Sequence, residues 1–469
     1  MAIAISAAAQ TVADNSKPAT PVPAAAVGDT DALKAPLASA HELMKKKEFL
    51  EATAAYRAIL EKNPASADAH AGLVRSLLGT HKIDDAREAS AKALIAVPAS
   101  ALVHAAAGDV AFRVGRFSDA ENEYRAAVKL DGGCARAQFG MGRMYEMVSM
   151  NKRAKDAYTR AHQLDSEDAQ VADKWIETLP YKEALETVKK GEHPGSYDAD
   201  RIAILERIVD KKPWSLNGEP KPTEIKLQPY GRELTGVYDI NRNGPMNISK
   251  GYGVQVKFND RAGATLLLDT GAGGITIGRK LAEKAGVVRI ANAKIGGIGD
   301  QGSVDSYVAW VDKINIGNVE FHNCLIVVSS KSDVADEAGL LGPDVFEKYL
   351  ITLDFHEQKM LLAPLPKNPA AASEDERFQD RYIAPEMQGF TRFYAFGHDI
   401  VVPVVVNDKA MGNFILDTGA DLNTLSPKFA AQVTKATADD DYRMKGVSGK
   451  VETVLTGKKA VLQFAKMRI

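Results

Sequence analysis

Cysteine is scarce in this 469-residue sequence: only Cys134 and Cys324 occur, 190 positions apart, so a disulfide framework has no support. Charge of one sign is missing too. With 59 Lys and Arg against 61 Asp and Glu, nothing favours nucleic acid or an anionic membrane surface as a partner. No apolar run reaches the roughly 18 residues that a membrane span needs. The nine histidines are scattered without HExxH or CxxC-type spacing, so no metal site and no cofactor is expected. What the chain has is length. At about 150 residues per domain, two to four units are expected.

The N-terminus is open to two readings. Met1 to Ala9 (MAIAISAAA) are small and apolar and end in an A-x-A-like pattern, but lack a basic start. Residues 1–32 are therefore either the remnant of a secretory signal, which would place the protein in the periplasm or outside the cell, or an Ala/Pro-rich disordered leader compatible with the cytoplasm.

From residue 33 apolar residues follow a helical period, and a 34-residue beat runs through them. Ala52, Ala86, Ala120 and Ala154 share one slot, and the turn formers Pro64, Pro98, Gly132 and Ser166 another. Tyr56, Tyr124 and Tyr158 share a third, with Ser90 the exception; Ala93, Ala127 and Ala161, and Gly108 with Gly142, fill two more. Small residues at this spacing let two helices of a hairpin cross closely. Residues 33–178 resemble the tetratricopeptide repeat (TPR) family in about four copies, an all-α solenoid; Pro36 makes the first copy the poorest. The resemblance implies a groove for a protein partner, with a spacer role as the alternative.

Residues 179–228 read as a short helical extension and then a linker, because the helical period stops and Pro213, Pro220 and Pro222 follow. Beyond it the period changes to the alternation of β-strands, as in Gly253 to Phe258. The chain is thus expected to be multidomain, α-helical first and mainly β afterwards.

The chemistry lies in a repeated segment. LLLDTGA at 266–272 and FILDTGA at 414–420 are each an apolar strand running into Asp-Thr-Gly-Ala. At the same offset of 148, Val254 matches Val402, Val256 matches Val404, Asn259-Asp260 match Asn407-Asp408, and Ala282 matches Ala430. One Asp-Thr-Gly alone reads as a turn. Two copies with duplicated flanks point to two carboxyls meant to act together. Held close, Asp269 and Asp417 cannot both ionise cheaply; they share a proton, one arm serving as base and the other as acid.

The segment resembles the aspartic-protease superfamily, above all its retroviral-like (retropepsin-like) bacterial members, since Ala272 and Ala420 stand where pepsin-type lobes usually carry Ser. The resemblance implies a peptide or protein substrate and endopeptidase chemistry through Asp269 and Asp417. It implies that Thr270 and Thr418 brace the two loops and that Gly271 and Gly419 let backbone approach the carboxylates. It also implies two flaps, Gly297, Ile298, Gly299 and Asp300 in the first copy and Gly446, Val447 and Ser448 in the second, and lobes that pair within one chain or by homodimerisation. Gly339-Leu-Leu-Gly-Pro-Asp-Val-Phe346 resembles the family's second signature, an apolar pair and Gly packed beneath the first loop. Gly297 to Gly302 also spell G-x-G-x-x-G, but a strand-like stretch follows instead of the helix a dinucleotide site requires.

The first lobe is expected at 229–366, a linker at 367–384 and the second lobe at 385–469. Only 52 residues follow Asp417 and no second apolar-Gly signature is among them, so the second lobe is expected to be truncated. A non-catalytic repeat scaffold whose protease-like lobes only bind peptides is the competing reading.

Overall fold

The structure, a computed structural model, describes residues 31–469 except 192–193, 196, 231–232, 240–243, 249–250, 298, 301, 331–338, 368, 370–376, 378, 421, 439–444, 452 and 458. The described residues form two compact units, one up to Tyr197 together with 377–381, the other Asp198–Pro369 together with Tyr382–Ile469.

In the first unit helices succeed one another with short connections: α1 (Asp31–Lys45), α2 (Phe49–Lys62), α3 (Ala67–Gly79), α4 (Ile83–Ala96), α5 (Ala101–Arg113), α6 (Phe117–Leu130), α7 (Ala135–Met147), α8 (Asn151–Leu164), α9 (Ala169–Glu177) and α10 (Tyr181–Lys190). The 34-residue beat is a packing beat. Ala52, Ala86, Ala120 and Ala154 are buried, as are Tyr56, Tyr124 and Tyr158. A Cβ on Gly108 would come within 2.5 Å of the Tyr124 ring, and one on Gly142 within 2.5 Å of the Tyr158 ring. Where Ser90 replaces the tyrosine, the slot that is glycine in the next two copies is filled by Val74, so volume is conserved across the helix pair. Ser66, Ser100 and Asp168, again at the 34-residue beat, cap α3, α5 and α9 by accepting backbone N–H groups. Pro36 lies inside α1.

A charged network crosses the inner helices of this unit. The buried Asp109 carboxylate accepts from Arg136 at 2.7 Å, Arg143 at 2.6 Å and the Tyr124 hydroxyl at 2.8 Å. Arg75 pairs with Asp168 at 2.8 Å. Burial would raise Asp109, but Arg136 and Arg143 outweigh it and hold the carboxyl at about 2. Residues of the expected 367–384 linker join this unit: Asp380 receives the Arg153 N–H and guanidinium, and the Arg381 N–H donates to the Ser149 carbonyl.

The second unit is mainly β. The stretch read as linker contributes strands: Ser215–Leu216 pairs with Val319–Ser329, and Thr223–Lys226 with Lys359–Pro364. Ile225 and Leu227 are buried in the first lobe's core. Pro213, Pro220 and Pro222 fall just outside these strands, where no ladder N–H is required. A helix, Ala199–Ile208, packs on strand Val288–Ile295 of the same lobe; its Asp200 carboxylate accepts the Asn292 N–H at 2.7 Å.

The strands Val319–Ser329, Ile275–Gly278, Gly339–Leu341, Ala262–Leu268, Gly251–Phe258 and Val304–Ile316 follow one another as neighbours, and the last pairs back onto the first. This closed path surrounds the core of the first lobe. The 148-residue duplication reappears as repeated geometry. Asn259-Asp260 and Asn407-Asp408 are both left-handed hairpin turns. The Asn259 amide donates to the Ala285 carbonyl and the Asn407 amide to the Val433 carbonyl, each at 3.1 Å, tying helices Arg279–Ala285 and Pro427–Val433 to their sheets.

One element of the first lobe bears directly on its active-site loop. Gly339–Leu341 lies parallel to Ala262–Leu268 and antiparallel to Ile275–Gly278, covering Leu268 to 2% exposure. Among the described residues of the second lobe no strand takes that place, and Leu416, the counterpart of Leu268, is 46% exposed.

Candidate active site

Each Asp-Thr-Gly segment follows directly on a strand pinned by its hairpin, Ala262–Leu268 before Asp269 and Ala410–Ile415 before Leu416 and Asp417. The strands deliver the two loops to one another. The Thr270 N–H donates to the Thr418 hydroxyl at 3.1 Å, and the Thr418 N–H to the Thr270 hydroxyl at 3.0 Å. Each hydroxyl in turn donates across the boundary, Thr270 to the Leu416 carbonyl at 2.6 Å and Thr418 to the Leu268 carbonyl at 2.8 Å. Four hydrogen bonds thus hold the loops back to back.

The glycines explain why nothing larger is tolerated at the next position. Gly271 donates its N–H to Asp269 at 2.8 Å, and Gly419 donates to Asp417 at 2.8 Å. A Cβ on Gly271 would lie 2.8 Å from the Asp417 carboxyl carbon, and one on Gly419 2.7 Å from that of Asp269. Each lobe's glycine faces the other lobe's carboxyl, so the pair of aspartates is brought together at the centre. Ala272 and Ala420 follow without a hydroxyl to offer either carboxylate.

Burial first, and the neighbouring Asp417 second, push the Asp269 carboxyl up to about 6; the Gly271 N–H and His398 work the other way. Two carboxyls in hydrogen-bond reach with one raised in this way can hold a single proton between them at mildly acid pH.

The Gly339–Phe346 segment packs where the sequence resemblance put it. The Asp269 N–H donates to the Leu341 carbonyl at 3.0 Å, and the Gly342 N–H to the Gly274 carbonyl at 2.7 Å. Asp344 accepts the Gly274 N–H at 2.8 Å and 2.9 Å on its two oxygens. Burial raises Asp344, opposed by that N–H and by His398.

Of the expected flap residues, Ile298 lies outside the described residues. Gly297, Gly299 and Asp300 sit between strands Val288–Ile295 and Val304–Ile316, so the glycine-rich run joins two strands and not a strand to a helix. Gly446, Val447 and Ser448 belong to a tight hairpin of Lys445–Gly446 and Gly449–Lys450. The two loops touch: the Gly297 N–H donates to the Ser448 hydroxyl at 3.1 Å and the Asp300 N–H to the Lys450 carbonyl at 3.1 Å. Gly299 is in a conformation that disfavours side chains, φ +134°, and a Cβ there would lie 2.3 Å from the Ser448 carbonyl carbon. The contact between the two tips, the carboxylate of Asp344 and the approach of His398 are features the motifs did not announce. Asp344 had a signal in Gly-Pro-Asp; His398 had none beyond its place in a hairpin turn.

Residues 254–345 and 402–467 match the aspartyl protease family, and residues 43–110 match the tetratricopeptide repeat family. No curated protein sequence matches the chain. Among solved structures, one from a functional characterization of Pseudomonas aeruginosa pilF is similar at 20% identity over 38% of this chain and 83% of its own, with a TM-score of 0.30. A thermophilic TPR protein of Thermus thermophilus is similar at 17% identity over 34% and 88%, with a TM-score of 0.29.

Proposed function

We propose that this chain, an aspartyl-protease-family region carried behind tetratricopeptide repeats, is an endopeptidase whose Asp269 and Asp417 hydrolyse peptide bonds as one acid–base pair. The observation that carries the reading is the reciprocal arrangement of the two loops, in which each lobe's Thr hydrogen-bonds to the other lobe's loop and each lobe's Gly leaves room for the other lobe's aspartate. That arrangement is more than two turns need. It holds two carboxyls on one side of a shared scaffold, where a water and a scissile amide can meet both.

In the reaction the ionised carboxyl takes a proton from water as the water oxygen adds to the amide carbon, while the protonated carboxyl gives its proton to the carbonyl oxygen. The tetrahedral diol then collapses: one diol hydroxyl gives its proton to the ionised carboxyl as its C=O bond forms, the C–N bond breaks, the nitrogen leaves with the proton of the other carboxyl, and the pair is again singly protonated. Which aspartate plays which part at a given moment belongs to the coupled pair and not to either residue. Backbone N–H and carbonyl groups of the two touching flap loops would align an extended substrate by strand-like pairing. The helical repeats would recruit the substrate or a partner protein.

The test is turnover. The full chain incubated with an unfolded protein such as reduced, alkylated casein should release peptides, and a statine-type inhibitor, which mimics the tetrahedral diol, should stop it. Stoichiometric peptide binding with no cleavage from pH 3 to 7 would instead establish the non-catalytic scaffold.

A further inference from the structure

The two copies of the motif diverge immediately after their shared Asp-Thr-Gly-Ala. The first continues Gly273-Gly274, the second Asp421-Leu422. The glycines in the first copy have a neighbour that explains them. His398 sits with Gly397 at the two-residue turn between strands Tyr394–Phe396 and Asp399–Val406 of the second lobe. Its ring lies directly on Gly273: a Cβ there would come 2.7 Å from Nδ1, 2.8 Å from Cγ and 3.2 Å from the His398 Cβ. Any side chain at 273 would displace the imidazole.

The ring therefore reaches from one lobe onto the loop that presents the other lobe's aspartate. The charged groups that face it are Asp399 on its own hairpin, 3.5 Å from Nε2, and Asp269 and Asp344 from the first lobe. Asp417 enters as the partner of Asp269. Asp344 in turn grips the same loop through the Gly274 N–H.

We propose that His398 is a positioning residue for the Asp269–Asp417 pair: its imidazolium, seated on Gly273, steadies the first loop and favours the ionised form of the carboxyl that loop carries. The proposal rests on the endopeptidase reading for its kinetic consequence, but not for its electrostatic one. A positive charge seated on this loop opposes the rise that burial and Asp417 impose on the Asp269 carboxyl. Without that charge, ionisation of the Asp269 carboxyl becomes harder and the alkaline limb of the rate profile moves to higher pH.

The experiment compares the full-length wild type with His398→Gln, which is neutral and of similar size, and His398→Lys, which keeps a cation. Two readouts are taken: the ¹³C carboxyl titration of Asp269, assigned by its disappearance in Asp269→Asn, and the pH profile of kcat/KM on a peptide substrate. The expected result is an upward shift of the Asp269 titration and of the alkaline limb in His398→Gln, mainly through kcat, with both restored toward wild type in His398→Lys. An Asp269 titration unmoved in His398→Gln overturns the proposal, as do equal effects of Gln and Lys, which would mark His398 as packing alone. If no variant cleaves peptide but the titration still follows the charge at 398, the positioning role stands and the endopeptidase reading falls.

Discussion

Thr270 and Thr418 exchange backbone-to-hydroxyl hydrogen bonds at 3.1 Å and 3.0 Å, and each passes its own hydroxyl proton to the carbonyl two residues ahead of the other threonine. The two residues are 148 positions apart in sequence and belong to different lobes. Because each threonine is both donor and acceptor, removing one hydroxyl unpairs two groups of the opposite loop. Thr270 is also buried, at 4% exposure. Thr270→Val, which keeps the shape, should therefore cost about 1–3 kcal/mol of stability and lower kcat by roughly 10- to 100-fold through misplacement of the carboxyls. Thr270→Ser should retain most of both. Urea unfolding and steady-state kinetics on the two variants check this; equal behaviour of Val and Ser would remove the hydroxyl from the explanation.

The glycines make a sharper demand. Gly271→Ala and Gly419→Ala each place a methyl within 2.8 Å of the opposite aspartate's carboxyl carbon. Each substitution should push the pair apart and reduce kcat/KM at least about 100-fold, with only a modest change in melting temperature. A variant that keeps wild-type turnover would mean that the carboxyls do not need this closeness.

The raised carboxyl of Asp269 has a pH signature. Its folded value, about 6 against an ordinary 3.8, means that the folded chain keeps a proton which the unfolded chain releases. Stability from this group is thus complete below about 4 and is lost as pH rises toward 6, by about 1–3 kcal/mol in all. Asp269→Asn should flatten that slope in urea unfolding measured between pH 4 and 7. Activity should likewise peak in mildly acid solution and fall above about 6, because neither Ala272 nor Ala420 offers a hydroxyl to stabilise the ionised form. A rate profile peaking near pH 2 would contradict this.

The helical unit makes its own prediction. Asp109 is buried between Arg136, Arg143 and the Tyr124 hydroxyl. Asp109→Ala leaves two guanidiniums without their carboxylate and should destabilise the repeats by about 3–5 kcal/mol. The loss should appear in the far-ultraviolet dichroism melt of the full chain. Because the carboxyl is held at about 2, the wild-type contribution should persist at neutral pH and fade only as the solution is acidified below about 4.

How far these features could be read from the chain depended on whether a residue's role repeats. Ala120 and Tyr124 recur every 34 residues because the same helix crossing is made again and again, and Asp269 with Asp417 recur at 148 because the lobe itself is copied. Single events leave no such trace. Thr223–Lys226 looked like linker because a four-residue strand between Pro222 and Leu227 is too short for alternation to stand out, and only the partner strand Lys359–Pro364 makes it one. Asp380 resembled any polar loop residue, yet its carboxylate is held by Arg153. His398 acts through a turn whose position in space depends on how two lobes meet, which no local pattern encodes. Ser448 reads from the sequence as part of a flap, but that its hydroxyl accepts the Gly297 N–H depends on where the other flap lies.

The central claim is that two carboxyls within one chain work as a single unit, and the most direct measurement is the turnover of Asp269→Asn, of Asp417→Asn and of an equal mixture of the two. Each variant alone should lose at least about 10³-fold in kcat, and the mixture should stay inactive, since no molecule in it holds both carboxyls. Wild-type turnover in either single variant, or activity regained on mixing, would contradict it.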